Sequence, residues 1–317
     1  MRERIRIKQR GLHVQMPGLV TGSFLEHIAR DQSESTGSFE LPTKVVEVNG
    51  TQLHYFEFGE GEPVVFVHGT VGDYRTWGYQ FESFSERYRA ISYSRRYHYP
   101  NTWNGDGRDY CTRVHAADLA GLLTSLRTAP AHLIGQSVGA SIAAYCACHY
   151  PEVVRSLVVV EPTFPAWLLE LEDGQASFEE FTLQVRQPAA AAMMAGDAEE
   201  SIRIFCDGVL GQGTFASLSP EMRAVMLDNA PELKLEFEAT ELISPFTFDD
   251  ARRIVAPTLS IEAGASPRYR TVIARKFAEC VPSAERVLAE GSPHAVHFMS
   301  PAKFNGLVLQ FLERQSG

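Results

Sequence analysis

The stretch Leu133-Ile134-Gly135-Gln136-Ser137-Val138-Gly139-Ala140 constrains this chain more than any other. Residues 131–134 are apolar apart from His132 and read as a buried strand. Residues 141–149 read as an Ala-rich helix, and a Gly-x-Ser-x-Gly turn joins the two. A serine at such an elbow sits in a strained backbone conformation, and the positions two before and two after it come close together. Only very small residues fit there, hence Gly135 and Gly139. The strain holds the Ser137 hydroxyl clear of the backbone at a helix N-terminus. The N–H of Val138 is then free to face a developing oxyanion. A Gly-rich turn with an incidental serine is the bland alternative, and the flanking strand and helix argue against it.

A chain of 317 residues is too long for one small domain and suits one α/β core plus an insertion. Hydrophobic residues make up 44% of it, enough for a large core. A net charge of −10 argues against nucleic acid or an anionic membrane as the main partner. No apolar run approaches the roughly 20 residues of a membrane span. The five cysteines (Cys111, Cys146, Cys148, Cys206, Cys280) are an odd number without zinc-type spacing. They fit reduced thiols in a cytoplasmic protein, and no metal site is expected.

Residues 1–40 stand apart as an N-terminal extension, with Arg2, Arg4, Arg6, Lys8 and Arg10 at its start. No long apolar segment or small-residue cleavage site follows, so a secretory signal is not expected. A short helix over 17–30 and a polar linker over 31–38 are expected. The extension is either partly ordered or an arm on a partner subunit, which makes a homodimer possible. Residues 44–48 and 52–58 alternate around Asn49-Gly50 and predict a hairpin. Strands are expected at 64–67, 90–93, 131–134 and 157–160, and helices at 76–87, 114–126 and 141–150. Strands alternating with helices imply a parallel sheet covered on both faces. From 163 to 250 buried strands vanish, and helices are expected at 178–187, 198–209, 220–229 and 233–241. The alternation resumes with a strand at 258–261, a helix at 268–280, a strand at 286–288 and a helix at 301–314.

In this order the pieces resemble the α/β-hydrolase superfamily with a helical cap, over residues 41–317. His68-Gly69 after a strand is similar to the family's H-G turn. Gly135-Gln136-Ser137-Val138-Gly139 is similar to its nucleophile elbow. Ser292-Pro293-His294 lies between the last strand and the last helix, followed by Pro301-Ala302-Lys303-Phe304 at the usual distance. The resemblance implies an eight-stranded, mostly parallel sheet flanked by helices. The core would span 41–162 and 251–317, with the cap at 163–250. It implies oxyanion N–H groups on Thr70 and Val138. Two departures stand out. The usual Asp-x-Arg-Gly-x-Gly turn is replaced by Ser94-Arg95-Arg96-Tyr97-His98-Tyr99, either a structural variant or a bulky loop at the pocket entrance. The loop after 258–261, Gly264-Ala265-Ser266-Pro267, lacks the usual acid.

A hydroxyl is a poor nucleophile until a base takes its proton. Among ten histidines His294 has the family context for that base; His297 is its neighbour, and the family uses the ring of His68 to hold loops. A carboxylate must orient the imidazole. Glu161, at the end of the 157–160 strand, is the chosen acid, with Glu262, Asp249 and Asp250 as alternatives. Some haloalkane dehalogenases and the lactonases that open zearalenone resemble this layout. Gln136 is expected either to donate a hydrogen bond near the entrance or to face solvent. Trp77, Phe164, Trp167, Phe181, Met193, Met194, Phe205 and Met226 are pocket-lining candidates, or plain core. The expected activity is hydrolysis of a small, mostly apolar carboxylic ester or lactone, without metal or organic cofactor. The alternatives are carbon–carbon hydrolysis, cofactor-free oxygenation or cyclisation on the same site, and a small-molecule receptor.

Overall fold

The computed structural model describes residues 42–103 and 105–315. The extension over 1–40, with the helix, linker and arm expected there, lies outside the described residues. Strands β1 (Lys44–Val48) and β2 (Thr51–Phe58) pair antiparallel around Asn49-Gly50. Both turn residues have positive φ, 48° and 73°, as a type I′ hairpin turn requires. The chain continues through β3 (Glu62–Val67), α1 (Gly78–Ser85), β4 (Tyr88–Tyr93), α2 (Thr112–Ser125), β5 (Ala131–Gln136), α3 (Val138–His149) and β6 (Val154–Val160).

Next come α4 (Gln175–Phe181), α5 (Gln187–Met194), α6 (Ala198–Leu210), α7 (Thr214–Ser217), α8 (Pro220–Asp228), α9 (Ala230–Glu238) and α10 (Phe248–Arg252). The chain ends with β7 (Thr258–Ala263), α11 (Arg268–Cys280), β8 (Ala284–Ala289), α12 (Val296–Met299) and α13 (Pro301–Glu313). Among the described residues, the insert between β6 and β7 contains no strand.

The sheet has eight strands in the order β1-β2-β4-β3-β5-β6-β7-β8. Only β1/β2 and β2/β4 pair antiparallel; the remaining neighbours are parallel. The unbroken apolar runs of β3, β5 and β6 follow from this, because central parallel strands are covered by helices on both faces. The main core joins Val65, Leu133, Leu157 and Val159 of the sheet to Leu119 of α2 and Ile142 of α3. A second apolar cluster lies in the insert (Ile202, Cys206, Phe215, Leu233). It also takes in Val71 from the loop after β3.

The helix expected at 233–241 lies at 230–238, the short α7, α10 and α12 were not expected, and two further departures have a visible cause. The helix expected at 76–87 begins as a 3₁₀ turn (Tyr74–Trp77). Asp73 and Thr76 form a reciprocal cap there, which starts the helical path early. The helix expected to stop before Pro188 passes through a π-helical stretch (Thr182–Arg186) into α5, with Pro188 near its start. Proline has no N–H for the carbonyl four residues back, and the wider turn absorbs that loss. Gly208 lets α6 approach this stretch closely, since a Cβ there would lie 2.3 Å from a Val185 methyl.

Among the described residues six histidines are buried: His68, His98, His115, His132, His294 and His297. Burial lowers the pKa of each, to about 4 for His294 and about 3 for His297. Unfolding exposes them to water, where each binds a proton below about pH 6.5. Between that pH and the folded pKa values the unfolded state therefore holds more protons, and stability falls on acidification. Asp73, Glu232 and Glu236, whose pKa values burial raises, act in the opposite sense but are fewer. Each uncompensated histidine contributes a slope of up to about 1.4 kcal/mol per pH unit. Thermal unfolding followed by circular dichroism should give a Tm that drops steeply from pH 6.5 to 5. An unchanged Tm over that window would contradict the burial of these rings as neutral groups.

Candidate active site

Ser137 closes β5 and caps α3 with φ 55° and ψ −125°, a strained conformation for a residue with a side chain. The turn around it is as tight as the two glycines imply. A Cβ on Gly135 would meet the Gly139 carbonyl oxygen at 2.4 Å. One on Gly139 would meet the carbonyl oxygens of Val67 and His68 at 2.2 and 2.4 Å. Ser137 N–H donates to Val160 O at 2.9 Å, tying the elbow to the end of β6. Val138 is the first residue of α3, so its N–H has no acceptor within the helix.

Glu161 follows β6, fully buried, with φ 45°. Its carboxylate accepts from the Ala263 N–H at 3.1 Å and from the Ser266 hydroxyl at 2.6 Å. The loop after β7 has no acid of its own, and it supplies donors to the acid of the neighbouring strand. Glu161 Oε2 also lies 2.6 Å from His294 Nδ1. Burial pushes the Glu161 pKa up, but the His294 contact, with Arg270 and Ser266, outweighs it and holds the group below the ordinary value. For His294, burial and the nearby Arg270 charge outweigh Glu161 and lower the pKa to about 4. The ring is therefore neutral near pH 7, with Nδ1–H donated to Glu161 and Nε2 left as an acceptor.

That acceptor is engaged by a neighbour of the serine. Gln136 Nε2 lies 2.8 Å from His294 Nε2, so the side chain faces the site and not solvent. Its carboxamide is wedged against Gly69, where a Cβ would come within 2.6 Å of Gln136 Oε1. Ser137, Gln136, His294, Gly69 and Thr70 all line one open pocket of about 730 Å³, mouth included. Helices α6 and α8 of the insert contribute Phe205, Val209, Met222 and Met226 to its wall.

The other carboxylates lie elsewhere. Glu262, on β7, is held by Arg275 through contacts of 2.7 to 3.1 Å. Asp250 caps α10 and Asp249 pairs with Arg252. His297 packs at a tilt against Trp77, ring centroids 4.4 Å apart, and also lines the pocket. Of the aromatic and Met candidates, Phe205 and Met226 line the pocket. Trp77, Phe164 and Trp167 are core, and Met194 is exposed. Val209, Leu210, Leu218, Met222, Val225 and Arg270 line it without having been singled out, because an apolar helix face reads the same whether it meets a core or a cavity.

The loop after β4 also has a structural task. Arg95, 1% exposed, donates to the carbonyls of His68 and Gly69 at 3.1 Å each, and its N–H donates to His68 Nε2 at 3.0 Å. Glu232 of α9 accepts from Val71 N–H at 3.3 Å and from the Tyr110 hydroxyl, and lies 4.0 Å from Arg95. Burial and the neighbouring Glu232 push the pKa of Glu236 up to about 8. A buried polar cluster thus clamps the turn that carries Thr70 to the insert. None of residues 94–99 lines the pocket. Elsewhere, Cys148, His149 and Asp250 bring potential metal ligands within 4.8 Å of one another. Arg253 donates to Cys148 Sγ at 3.1 Å and pairs with Asp250 at 3.3 Å, so a cation already serves that group. The five cysteines are buried and unbridged.

A mostly parallel sheet with a serine elbow after its fifth strand, and a histidine that lines the serine's pocket on a buried carboxylate, fits an α/β-hydrolase architecture. Residues 62–301 match the sequence family described as alpha/beta hydrolase fold, and the chain belongs to that family. A non-heme chloroperoxidase of Kitasatospora aureofaciens is 26% identical over 281 residues, covering 84% of this chain and 98% of that protein. The enol-lactonase of Burkholderia xenovorans LB400 superposes with a TM-score of 0.68 at 18% identity, over 85% of this chain and all of that one. A meta-cleavage product hydrolase of Pseudomonas fluorescens IP01 does so with a TM-score of 0.66 at 16% identity, over 86% and 98%. No helix among the described residues is long and apolar enough to cross a membrane.

The elbow makes a prediction about folding alone. Gly139→Ala forces a methyl into two carbonyl oxygens that belong to backbone and cannot swing away. It should cost about 3 kcal/mol or more in urea unfolding. Gly306→Ala, at an open position on α13, should cost nothing measurable or stabilise slightly.

Proposed function

We propose that the protein is a serine hydrolase that cleaves a small, mostly apolar carboxylic ester or lactone through an acyl-enzyme. The observation that carries this reading is the His294 ring, held by buried Glu161 at Nδ1, with Nε2 in the pocket that Ser137 lines. Substrate binding displaces the Gln136 carboxamide from Nε2. His294 takes the Ser137 proton as the hydroxyl attacks the carbonyl, and Glu161 stabilises the imidazolium. The Thr70 and Val138 N–H groups hold the oxyanion. Collapse of the tetrahedral intermediate expels the alcohol, protonated by His294. Water, with His294 again as base, then releases the acid. Helices α6 and α8 act as the cap that covers the acyl or alcohol group.

A serine-reactive phosphonate should label Ser137 and abolish hydrolysis of short aryl esters. Glu161→Gln should lower kcat by about 10⁴ with little change in Tm, whereas Glu262→Gln should keep near-wild-type turnover. The reverse pattern would reassign the acid. Retained turnover in Ser137→Ala would instead favour chemistry in which His294 acts as base without a covalent intermediate.

The pH profile follows from the ring itself. His294 must be neutral to accept a proton, and its pKa lies at about 4. Thus kcat/KM should stay flat as pH falls through 6.5 and decline only towards pH 4. Brief assays after a pH jump separate this limb from acid unfolding. A limb near 6.5 would show that the free enzyme holds the ring in a more solvated setting.

A further inference from the structure

Arg270 touches the chemistry above only through its charge, which lowers the pKa of His294 and of Glu161. It lies in the first turn of α11, is 6% exposed, and its Nε has no hydrogen-bond partner. A buried guanidinium ordinarily pairs with a carboxylate, because an unpaired buried charge is costly. Arg270 makes no ion pair within 4.0 Å among the described residues; Glu161 and His294 feel its charge from further off, and rings pack against it. Its guanidinium carbon sits 5.0 Å from the Tyr269 ring centroid and 5.9 Å from that of Phe181. It lines the same pocket as Ser137, Thr70 and His294 and is, among the described residues, the only lining one with a permanent charge. Apolar side chains make up much of the same lining, Phe205, Leu218, Met222 and Phe298 among them.

We propose that Arg270 binds a carboxylate carried by the substrate. The pocket then takes an apolar ester or lactone that bears one negative charge away from the scissile carbonyl. This rests on the hydrolase reading for the word ester, but the anion site itself does not. The planar guanidinium offers paired donors that match a carboxylate, and the surrounding apolar wall strengthens the attraction by excluding water. The same wall disfavours a second charge and any strongly hydrated group.

Binding tests the site without turnover. The probes are N-benzyl monoamides of succinic, glutaric and adipic acid, each against its uncharged terminal amide, with affinity read by calorimetry on the full chain. The acid should bind at least about ten-fold tighter than its amide in one or more pairs. In Arg270→Met that ratio should collapse towards one, and in Arg270→Lys it should recover in part. The Tm of each variant, measured in parallel, ensures that folded protein is compared. No preference for the acid in any pair, or a preference that survives Arg270→Met, overturns the proposal. The matching p-nitrophenyl esters separate this from the hydrolase reading. A charge preference in binding with no ester turnover leaves the anion site standing and removes the hydrolase. Turnover that ignores charge, with no binding preference, does the opposite.

Discussion

The rest of the structure depends on a single close approach, that of the Gly139 backbone to the carbonyl oxygens of Val67 and His68. It seats the start of α3 on the end of β3, one strand away from the strand that feeds it. This brings the Val138 N–H alongside the loop that carries Thr70. The same approach turns β5 so sharply that Ser137 must adopt a positive φ. The geometry of the candidate nucleophile and of the N–H groups proposed as its oxyanion donors therefore follows from one steric fact about a residue without a side chain.

The Thr70 loop is gripped from its other side by buried charge. Arg95 holds the carbonyls of His68 and Gly69, while Glu232 and Tyr110 tie the loop to α9. Taking these groups out of water costs several kcal/mol per ion unless each is met by a partner. An apolar patch of similar size would hold α9 as firmly. The polar arrangement adds direction, because it fixes which backbone groups are engaged and leaves the others to face the pocket. Tight packing of the insert and correct pointing of the Thr70 loop are consequently one problem.

Much of the fold was legible in local patterns. The apolar runs of β3, β5 and β6, the Asn49-Gly50 turn and the glycines around Ser137 each carry their reason within a few residues. Local pattern also marked the loop after Gly264 as lacking an acid. It did not show that Ser266 and the Ala263 N–H serve Glu161 instead, since that bond spans a hundred residues of chain. Arg95, Tyr110 and Glu232 form their cluster across similar separations, and none has a periodic signature. Gln136 was legible as a position but not as a direction; its carboxamide turns inwards because His294 and Gly69 make a slot for it. Arg270 was hidden for another reason. It stands on a helix face whose neighbours Tyr269, Thr271 and Val272 are also buried, and one cation in such a row announces nothing.

Ser137 and Glu161 end adjacent strands, and both sit at positive φ, 55° and 45°. Neither residue is a glycine, so each holds strain of about 1–3 kcal/mol. Together they draw on a folding free energy of only about 5–15 kcal/mol. Glycine would relax the backbone at either place, but the two exchanges are not alike. At 161 it would also strip the Ala263 N–H, the Ser266 hydroxyl and the His294 ring of their acceptor, so the strain there is offset by the bonds the side chain makes. At 137 the structure records, among the described residues, no such offset for the side chain's strain, and a lineage selected for thermal endurance alone would exchange the serine before the glutamate.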